Sequence, residues 1–291
     1  MLGSFDYVCP TSLDDALRAL ADPERDRAVL AGGTDLLINI RNGTHVPSAL
    51  VDIKRVTGLS RLEVSETTGV VHIGATVSLN TIAESPALAR YYPGLTQAAL
   101  SIATYTLRHR ATLVGNLCNA SPAADCAPIL LVLDSVVHTI GPDGRRQIEL
   151  ANFFAGVKQT ALRPGELVTD VHIPVHGAGI RTAFIKQQRI RGHDLAILNA
   201  AGAYNPTART LRIALGSCAP TPLLLEPIEI DERSPGRIVE QILEHAITAV
   251  CPIDDVRASA AYRQAILPVV LRRLITGLLE SKGGASCTRS D

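Results

Sequence analysis

Between the apolar run Ala28-Val29-Leu30-Ala31 and a second one, Leu36-Leu37-Ile38-Asn39-Ile40, the chain places Gly32-Gly33-Thr34-Asp35. Two adjacent glycines and two residues of capping type end a strand and start a helix almost at once, and the helix closes near Gly43. Such a junction aims orphan backbone N–H groups and the positive end of a helix at one place. Glycine has no Cβ, so the backbone can approach an anion within hydrogen-bonding distance and adopt φ > 0 as it turns. The same pattern also serves a plain tight connection in which Thr34 or Asp35 caps the helix. A phosphate cradle and a capped turn are the two readings.

With 291 residues, the chain exceeds the ~250 at which single cores stop growing, so several units are expected. Residues 1–55 read as a small α/β unit: a helix starting at Ser12 with Leu13, Ala16, Leu17 and Leu20 on one face, the strand–glycine–helix junction, and a buried strand Leu50-Val51-Asp52-Ile53. Residues 56–176 alternate short strands (Val70 to Val77, Val136 to Ile140, Gln147 to Leu150, Leu167 to Val175) with helices begun by Ser78 and Ser85-Pro86. Gly94 to Ala103 carries Leu95, Ala98, Ala99 and Ile102 on one helical face, and Pro142-Asp143-Gly144 marks a hairpin. Residues 177–291 read as strands near 181–188, 195–204 and 210–216, then two helices. The first holds Ile238, Ile242, Ala246 and Ile247 inward; the second runs from Ala258 to Glu280 with a kink or break near Pro268. The tail from Ser281 has the composition of a disordered end.

A second unusual stretch runs from Ala111 to Asp125: small and polar residues between apolar segments, read as a buried loop whose backbone groups need partners. Thr112 and Asn116 flank Val114-Gly115 in it, and two such loops can clamp one pyrophosphate. Lys and Arg number 28, as do Asp and Glu, so no charge excess serves a nucleic-acid backbone or an anionic membrane, and a diphosphate would be held by local donors without any lysine. There is no GxGxxG, Walker lysine motif, HExxH or GxSxG. The six cysteines form no CxxC, which points to reduced thiols and leaves any iron–sulfur cluster to a partner. No run reaches ~18 apolar residues and no secretory leader opens the chain, so a cytoplasmic protein is expected. His172 and His176 lie in a Pro-containing strand with no third ligand in view and are read as edge or surface residues; His193-Asp194 reads as a turn.

Taken together, these segments resemble the FAD-binding medium subunit of the molybdenum hydroxylases, the family of xanthine dehydrogenase and carbon monoxide dehydrogenase. The likeness is carried by Phe5-Asp6-Tyr7, Ser12 to Leu17, Leu30 to Leu37, Ile73-Gly74-Ala75, Gly115 to Asp125, Lys186, Arg189, Asp194-Leu195-Ala196 and Asp255 to Arg263. It implies an α+β chain: a two-subdomain FAD-binding fold of the vanillyl-alcohol oxidase type, plus a C-terminal antiparallel sheet and helix domain.

The resemblance further implies that the FAD pyrophosphate lies between Leu30, Ala31, Gly32, Gly33, Thr34 and Asp35 on one side and Thr112, Val114, Gly115 and Asn116 on the other. Ser121, Asp125, Lys186, Ile102 and Leu195 then surround the flavin. Two departures stand out. The family usually has glycine at the place of Val114, where a β-branched residue at φ > 0 would be a steric outlier. Leu195 stands where carbon monoxide dehydrogenase has a tyrosine beside the ring. The implied role is electron transfer, from 2Fe-2S clusters on a small partner to an acceptor such as NAD or a quinone. Substrate would react at the molybdenum cofactor of a large partner, in a hetero-hexamer. No side chain here need be catalytic, and no metal ligand of this chain's own is expected. The alternatives are a flavin-free structural subunit of the same assembly, motivated by Val114, and a stand-alone FAD oxidoreductase of the same fold.

Overall fold

The computed structural model describes residues 4–21, 26–175, 179–190, 192–230 and 235–280. Three sheets follow one another along the chain. The first is parallel, in the order β1 (Asp6–Val8), β3 (Ala49–Asp52), β2 (Arg27–Leu30). Its crossovers are α1 (Leu13–Leu20) and α2 (Leu36–Arg41). Ser12 caps α1 by accepting the Asp15 amide at 3.1 Å, and Asp14 and Asp15 in its first turn suit the positive helix end.

The second sheet is antiparallel, ordered β4 (Leu62–Ser65), β5 (Val70–Gly74), β10 (Leu167–Pro174), β6 (Val136–Gly141), β7 (Gly144–Glu149). Between β5 and β6 run α3 (Leu79–Ala83), α4 (Pro86–Tyr91), α5 (Pro93–Leu100), α6 (Tyr105–Arg108), α7 (Leu113–Cys118) and α8 (Cys126–Val132). A two-stranded ribbon, β8 (Phe154–Gly156) with β9 (Gln159–Thr160), follows β7. Strand alternation buries Val71, Ile73, Val137, Val171 and Ile173 against the helices and turns His72, His138 and His172 outward.

The third sheet joins β11 (Arg181–Gln187), β12 (Leu198–Asn205), β13 (Thr210–Gly216) and β14 (Leu223–Leu224), with β15 (Ile228–Glu229) also on β13. One face carries Phe184, Ala201, Ala203 and Ala214 into the main core against α5 and α8. The other carries Leu198, Ala200, Tyr204 and Ile213 against α10 (Ala260–Glu280), with α9 (Pro235–Ala249) alongside. At Gly202 an added Cβ would lie 2.5 Å from Leu278 Cδ1, so glycine sets how closely α10 approaches the sheet. Arg263, with a side chain 1% exposed, ties α10 to the residue before β12 and the residue after β13: it donates to the Ile197 and Ser217 carbonyls and pairs with Asp255 at 2.7 Å. No helix among the described residues is long and apolar enough to cross a membrane.

Several expectations are corrected. The Val70 strand stops at Gly74 rather than Val77, because the chain there turns onto Leu59, whose carbonyl leaves no room for a Cβ at Gly74. Ile102 lies beyond the end of α5, and the stretch from Ala111 holds a helix, α7, instead of being loop throughout. His172 sits on β10, the central strand, so it is no edge residue; His176 lies outside the described residues, as does the tail from Ser281. α9 packs through Ile238, Ile242, Leu243 and Ala246, and the 3.6-residue period carries Ile247 round to solvent. α10 runs unbroken through Pro268, with Leu267, Val270 and Leu271 buried on either side of it.

Candidate functional site: two converging bends

The first bend leaves β2 at the buried Leu30 and passes Ala31 into Gly32 and Gly33, where φ reaches +73°. An ideal Cβ on Gly32 would overlap the Arg110 carbonyl oxygen and lie 2.9 Å from Ala111 Cα. The missing side chain thus lets the first bend rest directly on the backbone that enters the second one. At Ala111 the chain also bonds to the start of α3, through Leu79 N to Ala111 O at 2.8 Å, and Ser78 bridges Thr112.

Neither Thr34 nor Asp35 caps α2. Asp35 occupies the N-cap position without a side-chain cap bond and instead accepts the Asn119 amide at 3.0 Å, across to the second bend. Among the described residues, no acceptor is found for the backbone amides of Gly32, Gly33, Thr34 and Asp35. Of the two readings of this loop, the side-chain-capped turn is not met.

The second bend is a capped helix. Thr112, 5% exposed, accepts the Gly115 amide at 3.0 Å, and the Asn116 amide bonds to the Thr112 carbonyl. A Cβ on Gly115 would lie 2.8 Å from Thr112 Oγ1, so glycine permits this close cap. Val114 lies in the first turn of α7, not among the residues of positive φ, with its side chain in the main core. The amide of Val114 has no acceptor among the described residues, and Asn116 Oδ1 is buried without a partner. Unmatched polar groups from both bends thus gather where their backbones touch, which fits a diphosphate that needs several donors.

Lys54, Asn119 and Lys158, none of them among the candidate site residues, brace the bends. Lys54 donates to the Ala31 carbonyl at 3.3 Å and pairs with Asp52 at 2.7 Å. Lys158 donates to Asn119 Oδ1 at 2.8 Å, so Lys158, Asn119 and Asp35 form one chain across both bends. Two ammonium groups therefore stand at the cradle, against the expectation of a site without lysine. Tyr7 donates to Asp52, and that bond raises its own pKa to about 12. Burial works against ionisation of Asp52, but Lys54 and Tyr7 outweigh it and hold the carboxyl below its usual range.

A second polar centre joins the helices to the third sheet. Asp125, at the head of α8, accepts Lys186 Nζ at 2.7 Å and Asn199 Nδ2 at 2.7 Å; Lys186 also donates to the Ser101 carbonyl at 3.0 Å. Burial pushes the Asp125 carboxyl up, and Lys186 and Asn199 pull it back. The adjoining turn holds Ile102, half-buried, and Ala103 in the left-handed region at φ 45°. Arg108 clamps that turn by donating to the carbonyls of Leu100, Ile102 and Ala103 at 3.2, 2.9 and 2.9 Å. Lys186, Ser101 and Ala103 line an open cavity of about 410 Å³ together with Gln188 and His193. Ser121 is used locally, accepting the Ala123 amide at 3.3 Å. Leu195 is 58% exposed and does not line this cavity. Its loop is set by Asp194, which Arg189 holds with two 2.9 Å bonds and lowers to about 2. The pair read from the sequence as a turn is in part a bend, which covers Gly192 and His193, while Asp194 lies beyond it.

Residues 3–176 match the family described as the FAD binding domain in molybdopterin dehydrogenase, and residues 183–278 match the CO dehydrogenase flavoprotein C-terminal domain. The chain is 33% identical, over 95% of each sequence, to the 6-hydroxypseudooxynicotine dehydrogenase complex subunit alpha of Paenarthrobacter nicotinovorans. It is 32% identical to the carbon monoxide dehydrogenase medium chain of Afipia carboxidovorans, over 94% of this chain and 96% of that one. Among solved structures, carbon monoxide dehydrogenase from Hydrogenophaga pseudoflava superposes with a TM-score of 0.88 at 27% identity, covering 96% of this chain and 98% of that one. Quinoline 2-oxidoreductase from Pseudomonas putida 86 gives 0.85 at 26% identity with the same coverage. The expected α+β architecture, an FAD-binding domain followed by a sheet-and-helix domain, is the one these structures share. Two family models that together span nearly the whole sequence, and near full-length relatives that are dehydrogenase subunits, lead to one conclusion: this chain belongs to the FAD-binding medium subunits of the molybdenum hydroxylases, a family of oxidoreductases.

Proposed function

We propose that this chain carries FAD as the electron-transfer subunit of a molybdenum hydroxylase, receiving electrons from 2Fe-2S clusters of a small partner and delivering them to an acceptor such as NAD or a quinone. Bound FAD supplies the redox chemistry, taking up and releasing one or two electrons. The observation that carries the reading is the contact of Gly32 with the Arg110–Ala111 backbone, which brings amides without acceptors from two distant segments together.

In this reading the amides of Gly32 to Asp35 hold the diphosphate, with Val114 N and Asn116 completing the cradle. Each charge-assisted bond contributes about 1.5–3 kcal/mol, so a handful suffices. Lys54 and Lys158 lower the cost of gathering negative charge there. Ile102, the Asp125–Lys186 pair and the loop bearing Leu195 bound the space for the ring, with Ser121 shaping the turn before α8. Residues 1–55 and 56–176 act as the two cofactor-holding subdomains and 177–291 as the domain that covers them. A large molybdenum-cofactor subunit performs the substrate reaction, and the whole assembles in the cytoplasm as a hetero-hexamer.

The test is to purify the chain alone, add FAD, and record absorption and flavin fluorescence. A folded chain should take up one FAD with quenched emission; a folded chain that leaves FAD free overturns the cofactor assignment. A monomer that turns over a substrate without partners overturns the relay role in favour of a stand-alone enzyme. Val114 holds an ordinary helical φ with its side chain in the core and its amide without an acceptor among the described residues, which supports FAD binding over the flavin-free reading.

A further inference from the structure

On the outward face of the second sheet, away from both bends, strand register assembles a cluster that no step above uses. His72 on β5 lies directly across from His172 on β10, and Asp170, two residues before His172 on the same face, pairs in register with His138 on β6. One carboxylate oxygen, Asp170 Oδ1, is 2.8 Å from His172 Nε2 and 3.5 Å from His72 Nε2. Ligand atoms from the three residues all fall within 4.8 Å of one another.

An ordinary explanation would be imidazoles hydrogen-bonded to a carboxylate, or polar side chains solvated on an outer sheet face. Neither accounts for the details. His172 Nε2, although close to Asp170, has no hydrogen-bond partner and is closed to water, and His72 Nδ1 is buried without a partner as well. The His172 nitrogen beside the carboxylate thus lacks a partner that a cation would supply, and His72 would offer Nε2, the nitrogen set against Asp170, leaving its Nδ1 on the other side of the ring. The spacing suits a cation: bonds of about 2.0–2.1 Å in a tetrahedral site place neighbouring ligand atoms about 3.3 Å apart, between the two distances seen from Asp170 Oδ1. His138 stacks on His172 with ring centroids 3.8 Å apart and a tilt of 39°, which fixes the orientation of that imidazole.

We propose that His72, Asp170 and His172 form a binding site for a borderline divalent cation of the zinc class, with water completing the coordination and the ion fastening β5 to the central strand. Two imidazoles and one carboxylate are the donor set that such ions take, and hard ions such as Mg²⁺ and Ca²⁺ are excluded by the nitrogen ligands.

The full-length chain, stripped of metal with chelator, is titrated with Co²⁺ and separately with Zn²⁺. One equivalent of Co²⁺ should give visible d–d bands, Zn²⁺ should displace it, and Zn²⁺ should raise the melting temperature. His172→Ala and Asp170→Asn should weaken binding more than about 100-fold, beyond what loss of a residue that merely orients a ligand costs. His245→Ala, an exposed histidine on α9, should leave it unchanged. Zinc-edge absorption of the parent, which needs no variant to fold, should show two imidazoles and no sulfur. Absence of Co²⁺ bands up to 100 μM metal, binding unchanged in both variants, or a sulfur shell from the exposed Cys251 overturns the site. None of these readouts involves flavin, so the outcome is independent of the proposed electron-transfer role.

Discussion

The two bends meet at one point but are built in opposite ways. The first is an uncapped backbone turn: Gly33 is left-handed, Asp35 turns its side chain away from α2 to Asn119, and successive amides are left without acceptors. The second is a finished helix start, with the Thr112 hydroxyl on the Gly115 amide and a valine side chain anchoring the first turn in the core. The first bend therefore offers most of the free amides, while the second adds that of Val114 and chiefly positions it. A diphosphate held between them should depend steeply on the first and weakly on the second, and its affinity for FAD ranks the following changes.

The largest loss should come from Gly32→Ala. The new Cβ meets backbone on the far side, the Arg110 carbonyl and Ala111 Cα, which cannot swing aside as a side chain can. Separating the bends should reduce FAD affinity by roughly 100-fold or more, about 2.8 kcal/mol, by fluorescence titration with folding checked by circular dichroism. Affinity within threefold of the parent would show that their contact is incidental to the site.

Next is the ionic brace beneath the first bend, Asp52 with Lys54 on the Ala31 carbonyl. A carboxyl whose pKa is lower in the folded than in the unfolded chain adds stability above the unfolded value, about 4, and loses it as the pH falls through the folded one. Asp52→Asn should therefore melt below the parent at pH 7 and bind FAD several-fold less tightly, with the gap in melting temperature closing as the pH falls below about 4. A gap that persists in acid would mean the carboxylate charge is not what braces the bend.

How far sequence reveals such a site depends on whether its parts are local. Gly32-Gly33 and the small-residue stretch around Gly115 are readable, since glycine pairs and N-capping threonines act on their own neighbours. Lys54, Asn119 and Lys158 are ordinary surface types whose meaning comes only from being folded against residues far along the chain, so nothing in their local sequence marks them. A valine where relatives carry glycine must take an ordinary φ, and it does; that it opens a helix with its side chain in the core is not marked by the family pattern. The histidine cluster shows the same limit more sharply. His172 and Asp170 share a strand face by simple alternation, but His72 joins them only through the pairing of β5 with β10, which no local pattern specifies.

A smaller effect is expected from Thr112→Val, which keeps shape and removes the hydroxyl that caps α7. Loss of an N-cap costs about 1 kcal/mol of stability. FAD affinity should fall no more than about fivefold, because the donors of the first bend remain, as a urea unfolding series alongside the flavin titration would show. A loss as large as that of Gly32→Ala would put the two bends on an equal footing and end the asymmetry.

Least of all should FAD affinity respond to Val114→Gly. The substitution restores the residue usual in the family, and if the second bend needed a left-handed amide, binding would tighten by about tenfold or more. The structure argues otherwise, since the Val114 amide already emerges from the first turn of a helix and its side chain points into the core. Removing that side chain forfeits about 1.5–3 kcal/mol of burial and adds roughly 1 kcal/mol for glycine in a helix, so stability should fall clearly. The variant should thus unfold at lower urea while binding FAD within about twofold of the parent at zero urea, where it remains folded. Stability and affinity would then separate at a single residue. If instead they moved together, the core anchor of the Val114 side chain would be what aims its amide, and the division of labour would have to be redrawn around that residue.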